Sequence, residues 1–401
     1  MTHRPDAIAT TGTPAEVFGA FLKLGLTSFG GPIAHLGYFR DELVTRRRWL
    51  LDQAYADLVA LCQFMPGPAS SQVGFALGMM RAGWLGALAA FVAFTLPSAL
   101  ILLVFALTAA SVSGPIGTGA LHGLKIVAVA IVAQAVWGMA RSLCPDRERA
   151  TIAVVAVGLL AFLPGAVGMV GAIFMGAIAG LMLGRGSASP VGGHITVPVT
   201  KGQAAVALAV FAALLLGLPL LAGLSQGWAV LDSFYRAGSL VFGGGHVILP
   251  LLQAEVVAPG WVTPDQFLAG YGAAQAVPGA LFTFAAYLGA VLGPEPNGLS
   301  GAALALLALF LPGFLLLIGV LPFWDSFRAR PQAQSAMQGA NAAVVGILGG
   351  ALYSPVFTSA IGNMRDFALA LACFVALMAW KAAPWLVVLL AAAGGILLTL
   401  L

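Results

Sequence analysis

The sequence predicts an all-α polytopic membrane protein made of two inverted homologous halves. Three observations carry that prediction. Of the 401 residues, 60% are hydrophobic and only 8% are charged. The apolar residues fall into about 13 runs near bilayer-spanning length. The first half of the chain recurs in the second, position by position, at a nearly constant offset.

Soluble domains carry about 25% charged residues, and a soluble chain of this length has no interior large enough to hide this much apolar surface. Lipid is therefore the solvent for most of the chain. The 51 Gly and 23 Pro fit helices that pack closely through small residues and break at defined points. The net charge of +4 reports orientation rather than a partner, and no basic stripe interleaved with aromatics points to nucleic acid. Cys62, Cys144 and Cys373 lie far apart, without the spacing of a disulfide or metal site. Residues Met1 to Ala15 are polar and lack the apolar core of a removable signal peptide.

In order, the apolar segments cover 16–39, 54–79, 84–112, 116–140, 150–166, 167–184, 203–224, 228–253, 266–292, 299–322, 335–356, 365–380 and 384–401. A polar stretch from Arg185 to Lys201 separates the halves. The expected organisation is a first repeat at 1–185, a linker with a connecting transmembrane segment at 186–226, and a second repeat at 227–401.

The repeat is visible in residues that apolar composition alone does not produce. Lys23 matches Arg236, Gly25 matches Gly238, Phe29 matches Phe242 and Glu42 matches Glu255, each 213 positions on. After one deletion, Trp49 matches Trp261, Gln63 matches Gln275, and Pro66-Gly67 matches Pro278-Gly279. Further on, Pro97 matches Pro312 and Gly123 matches Gly339. An odd number of crossings between the repeat starts makes the halves inverted, an architecture of secondary transporters that hold substrate near the midplane.

Charge separates two arrangements of the first segments. If every segment crosses, the loop with Arg40, Arg46, Arg47 and Arg48 lies outside, against the positive-inside rule. If the first two segments of each half are re-entrant hairpins turning at Phe-Gly-Gly and Pro-Gly, that loop is cytoplasmic. The hairpins also account for glycine and proline in mid-segment, since irregular backbone is tolerated where it lines a buried or wet cavity.

The candidate substrate-binding residues cluster at these breaks. Gly30 and Gly31, with Gly243 and Gly244 in the second half, leave backbone amides free to face an anion, and Ser28 adds a hydroxyl. The competing explanation is close helix packing. Lys23 and Arg236 are cations inside apolar segments, each costing roughly 2.5–3.5 kcal/mol at mid-membrane unless partnered. They supply charge to a dianion, or else snorkel to the interface. Gln63 and Gln275 offer neutral donors, and Ser70 follows the first break. Pro66, Gly67, Pro278 and Gly279 are hinges or plain structural kinks. Glu42, Asp57, Glu255 and His246 are placed to carry a coupled proton, although a carboxylate here also serves to neutralise a nearby arginine. No nucleotide loop, metal cluster or catalytic triad is present, which argues against a primary pump, a cofactor or an enzyme.

The repeated Phe-Gly-Gly, the Arg-Arg-Trp-Leu beginning at Arg47, the Gln-x-x-Pro-Gly-Pro run from Gln63 to Pro68 and the Leu-Pro-Ser from Leu96 to Ser98 form a specific combination. From about Val17 to Leu401 the chain resembles the chromate ion transporter family in its long, two-domain bacterial form. The second half departs from the pattern at Pro278-Gly279-Ala280, which lacks the second proline, and at Pro312-Gly313. The resemblance implies a multi-pass protein of the bacterial inner membrane that exports chromate and confers chromate resistance. Sulfate has the same tetrahedral shape and double charge, so a sulfate transporter or an anion channel is the alternative. Partners are then chromate or sulfate and the lipid bilayer; a homo-oligomer is compatible with the sequence but not specified by it.

Overall fold

A computed structural model describes residues 12–109, 114–184, 198–242, 245–324 and 330–400. Every regular element among them is helical. The first half opens with α1 (Pro14–Thr27) and α2 (Gly31–Phe39, widening into a π-helical turn at Arg40–Arg46), then α3 (Asp52–Phe64) and α4 (Ala69–Ala109). Helix α4 is broken at Ala82 and Gly83, so its first arm pairs with α3, while its second packs against α1 and, in the second half, against the helices Phe284–Val291 and Gly298–Val320. Helices α5 (Pro115–Leu143), α6 (Arg147–Phe162) and α7 (Ala166–Leu183) complete the half.

Helix α8 (Lys201–Leu221) connects the halves. It leaves Val206, Leu216 and Leu220 exposed, and only lipid accepts such a surface. The second half repeats the order: α9 (Gln226–Ser239), α10 (Ile248–Leu252, widening at Gln253–Val257), α11 (Pro264–Ala276), α12 (Phe284–Val291), α13 (Gly298–Val320), α14 (Pro331–Ala351), α15 (Met364–Met378) and α16 (Pro384–Leu400). The π-helical turns fall at matching repeat positions. Among the described residues six helices, α4, α5, α7, α8, α13 and α14, are long and apolar enough to span a bilayer.

The structure decides between the two arrangements of the opening segments. The indole of Trp49 donates to Glu16 at 3.2 Å, Arg81 pairs with Glu16 at 3.1 Å, and the amide of Gly12 donates to the carbonyl of Arg81 at 2.9 Å. Residues 12–16, the arginine-rich loop and the break in α4 therefore share one face. Segments 16–39 and 54–79 turn back on themselves. At 13 to 14 residues, α1 and α3 reach only about 20 Å, short of the roughly 30 Å hydrocarbon layer. The second half does the same: the amide of Gly293 donates to Trp261 at 2.9 Å, and Gly227 lies beside Pro296. In the first-half base, outside the spanning segments, the hydrogen bond from Arg40 holds the Asp52 carboxyl below its usual range.

The two bases lie on opposite faces. Helix α5 spans between them, with Lys125 in its first half bonded to Asp265 at the base of α11. Its end lies against the first-half hairpins. The remaining helices are exchanged between halves: α6 and α7 pack on α14, while α15 and α16 pack on α5. The halves interlock and are not two separate bodies.

Candidate functional site

The hairpin tips meet in the middle of the molecule, where glycine determines how closely they approach. The Gly67 amide donates to the carbonyl of Val241, and the Gly279 amide donates to that of Ser28, both at 2.8 Å. Each tip of one half is thus pinned to the residue just before the Phe-Gly-Gly motif of the other. Gly67 and Gly279 have φ of +123° and +97°, a region that side chains with a Cβ rarely adopt. A Cβ on Gly67 would stand 3.0 Å from the Cα of Gly313, and one on Gly279 3.0 Å from the Ser98 hydroxyl. Gln72 ties the junction, donating to the carbonyls of Gly313 at 2.8 Å and Pro66 at 3.1 Å.

Beside these tips lies a cavity of about 510 Å³. Its polar groups are Gln63, Gln134, Ser142, His246 and Asn341. Gly30, the left-handed residue that caps α2, and Ala69, the first residue of α4, bring two helix N-termini to its wall. These ends carry unpaired amides and partial positive charge. No lysine or arginine among the described residues lines the cavity. The wall therefore offers neutral donors and dipoles, a set that favours an anion without holding it permanently. His246 shares an Nδ1 hydrogen bond with the Tyr271 hydroxyl at 2.7 Å, and the Oδ1 of Asn341 is buried with no partner.

The cavity is open on one face and shut on the other. Gly138 and Ser142, near the end of α5 that carries Arg141, are exposed, as is Gln63. On the opposite face α11 packs along α5, with Gly272 against the Leu124 carbonyl so closely that no Cβ fits. The repeat counterpart, α3, is not packed along α14, and Ala60, which matches Gly272, is exposed. Gln275, which matches Gln63, has its Nε2 buried without a partner.

Of the sequence candidates, the structure brings Gly30, Gln63, Gly67 and His246 to the cavity. Gly31 starts α2 behind Gly30. Ser70 is buried 3.5 Å from the Nδ1 of His35, away from the lining. Ser28 serves through its carbonyl, while its buried hydroxyl has no partner. Asp57 lies on α3 outside the lining. Pro66 and Pro278 sit in the breaks that end α3 and α11. Gly243 and Gly244 lie outside the described residues.

Lys23 and Arg236, expected from the sequence to supply charge, are not among the residues that line the cavity. Lys23 donates to Glu42 at 2.9 Å, and Arg236 donates to both oxygens of Glu255 at 2.9 and 2.7 Å. Arg46 and Arg47 also reach Glu42, and Asp232 also reaches Arg236. The reason is electrostatic: a cation in an apolar segment is stabilised most by a fixed carboxylate nearby, and each repeat supplies one 19 residues on. The same pairs tie Glu42 and Glu255 to the basic residues of their own hairpins.

Sequence reasoning missed Gln134, Ser142 and Asn341. A signal was available, since Gln134 and Asn341 are isolated amides in long apolar helices.

Comparison with known proteins follows the same lines. The family model described as chromate transporter matches residues 15–181 and 228–396. A chromate transport protein of Pseudomonas aeruginosa is 30% identical over 397 residues, covering 94% of this chain and 90% of the relative. One of Cupriavidus metallidurans is 28% identical, covering 86% and 83%. An uncharacterised transporter of Methanocaldococcus jannaschii is 26% identical, covering 86% of each chain. No solved structure matches.

Proposed function

This chain belongs to the chromate transporter family, and from that membership we propose that it exports chromate from the cytoplasm of a bacterial cell. It does so as a secondary transporter of the inner membrane, by alternating access where its two inverted halves meet, and so confers chromate resistance. The observation that carries this reading is the central cavity, floored by the tips of both halves and open to one face alone.

The open face holds the arginine-rich loop, Arg81 and Arg141, and by the positive-inside rule it is the cytoplasmic one. These arginines raise the local concentration of anions at the mouth. A chromate dianion entering the cavity exchanges hydration for the amides of Gln63, Gln134 and Asn341 and for the helix ends at Gly30 and Ala69. With no cation fixed in the wall, the ion can also leave. The inverted repeat supplies the second state: α3 closes onto α14 as α11 does here onto α5, and α11 withdraws. Gly67 and Gly279 are the hinges of that exchange.

Moving a dianion out of a negative-inside cell is electrically downhill by about 2.3 kcal/mol per charge per 100 mV. A coupled proton is therefore not required. His246 is the histidine in the described lining that a coupled proton would use.

Labelled chromate uptake into everted vesicles, with sulfate as competitor, tests the proposal. An interior-positive potential is expected to drive chromate in above vesicles lacking the protein. Absence of that uptake refutes export. Uptake of sulfate that chromate does not inhibit would reassign the substrate.

A further inference from the structure

On the face opposite the open cavity lies a second cavity of about 370 Å³, between the end of α4, the start of α5, and the bases of α11 and α12. Unlike the first, its wall contains a cation. Lys125 and His122, one helical turn apart on α5, both line it, with Thr118, Gln266 and Tyr287. Each basic residue is bound to a carboxylate from the second half. Lys125 donates to Asp265 at 2.9 Å, and the Nε2 of His122 lies 2.9 Å from Asp366.

The two bonds differ in permanence. Asp366 is buried and also accepts the amide of Gly362, so it is fixed. Asp265 has 70% of its side chain exposed, whereas Lys125 has only 16%. A lysine so enclosed needs an anion beside it, and the one it has can swing into water at little cost. The repeat gives this lysine a further meaning. Aligned on Gly123 and Gly339, Lys125 occupies the position of Asn341, which lines the open cavity.

We infer that the far-face cavity is a second binding site for a tetrahedral oxyanion dianion, in which Lys125 takes the ion and Asp265 displaces it. The inference rests on the transport reading and extends it. When α11 moves away from α5, Asp265 leaves Lys125, and the dianion crossing from the central cavity replaces it. On return, the carboxylate competes for the ammonium and sends the ion out. Asp265 is thus an internal counter-anion that keeps affinity at the exit low.

The test uses full-length protein with Ala109→Cys at the cavity rim, labelled by a membrane-impermeant maleimide in right-side-out vesicles. Sulfate is the protecting ion, since chromate oxidises thiols. Sulfate is expected to slow labelling. Lys125→Gln raises the sulfate concentration needed roughly tenfold, Lys125→Arg restores it, and Asp265→Asn lowers it by a similar factor. Labelling that sulfate does not slow, or protection indifferent to both substitutions, overturns the site. Protection needs no turnover, so its loss is distinguishable from failure of export, which chromate uptake by the unsubstituted protein reads separately. If Lys125→Gln changes only the maximal rate of exchange and not the protecting concentration, the ion pair is a latch and the binding inference fails.

Discussion

Gly279 donates its backbone N–H to the carbonyl of Ser28 at 2.8 Å, joining the Pro-Gly turn of the second half to the residue before Phe-Gly-Gly in the first. Gly67 and Val241 repeat the bond from the other side at the same length. The two halves thus hold each other at their irregular turns, where free backbone groups most need partners in a bilayer.

Replacing Gly279 or Gly67 with alanine forces a Cβ into a left-handed turn that already touches the other half. A cost of about 1–2 kcal/mol from the backbone conformation alone is expected. Thermal melting of the detergent-solubilised protein should fall for both variants, and chromate uptake should fall with it. Unchanged melting would mean that the tips separate without cost.

Arg236→Ala separates a structural cation from a binding one. Removing it leaves Glu255 and Asp232 without their partner, and a loss of about 2 kcal/mol is expected, below the range for a fully buried pair. The half-saturating chromate concentration of the folded fraction should stay the same. A selective rise in that concentration, with stability intact, would return Arg236 to the substrate path. Lys23→Ala should behave likewise with a smaller stability loss, because its side chain is half exposed.

In the cavity, Gln63→Leu and Asn341→Leu each remove a neutral donor with little change in volume. Either should raise the half-saturating chromate concentration by about tenfold, the effect of one lost hydrogen bond to a charged group. Both residues face open space on at least one side, so melting should change little. Equal kinetics in both variants and the parent would remove the amides from the binding site.

Helix α11 closes on α5 only because Gly272 presents no side chain to the Leu124 carbonyl. Gly272→Leu is expected to wedge that face open. A cysteine at Ala109 should then be labelled faster from the far side, while chromate uptake is lost. Slow labelling together with normal uptake would show that this contact does not close the path.

The re-entrant arrangement makes its own forecast. Cysteines placed at Arg48 and at Ala258 occupy the hairpin bases of the two halves and should react with an impermeant reagent from opposite sides of the membrane. Reaction from the same side would contradict inversion.

Much of this protein was legible in its sequence. Apolar content ruled out a soluble fold, and the 213-residue repeat revealed duplication, because charges, tryptophans and Pro-Gly pairs do not align by chance in apolar helices. Charge asymmetry pointed to the hairpins, and Gly30, Gln63, Gly67 and His246 stood out as breaks or polar residues within apolar runs. Gln134 and Asn341 stayed hidden, because nothing in linear order brings α5 or α14 to the hairpin tips.

What only the tertiary structure decided was which charges meet. Sequence places Lys23 and Glu42 in the same hairpin but does not say that the ammonium turns to the carboxylate rather than to the cavity. It says still less about why α11 rests on α5 while α3 stands away from α14. Those outcomes depend on competition among distant groups for the same space and the same counter-charge, which a local pattern of residues does not encode.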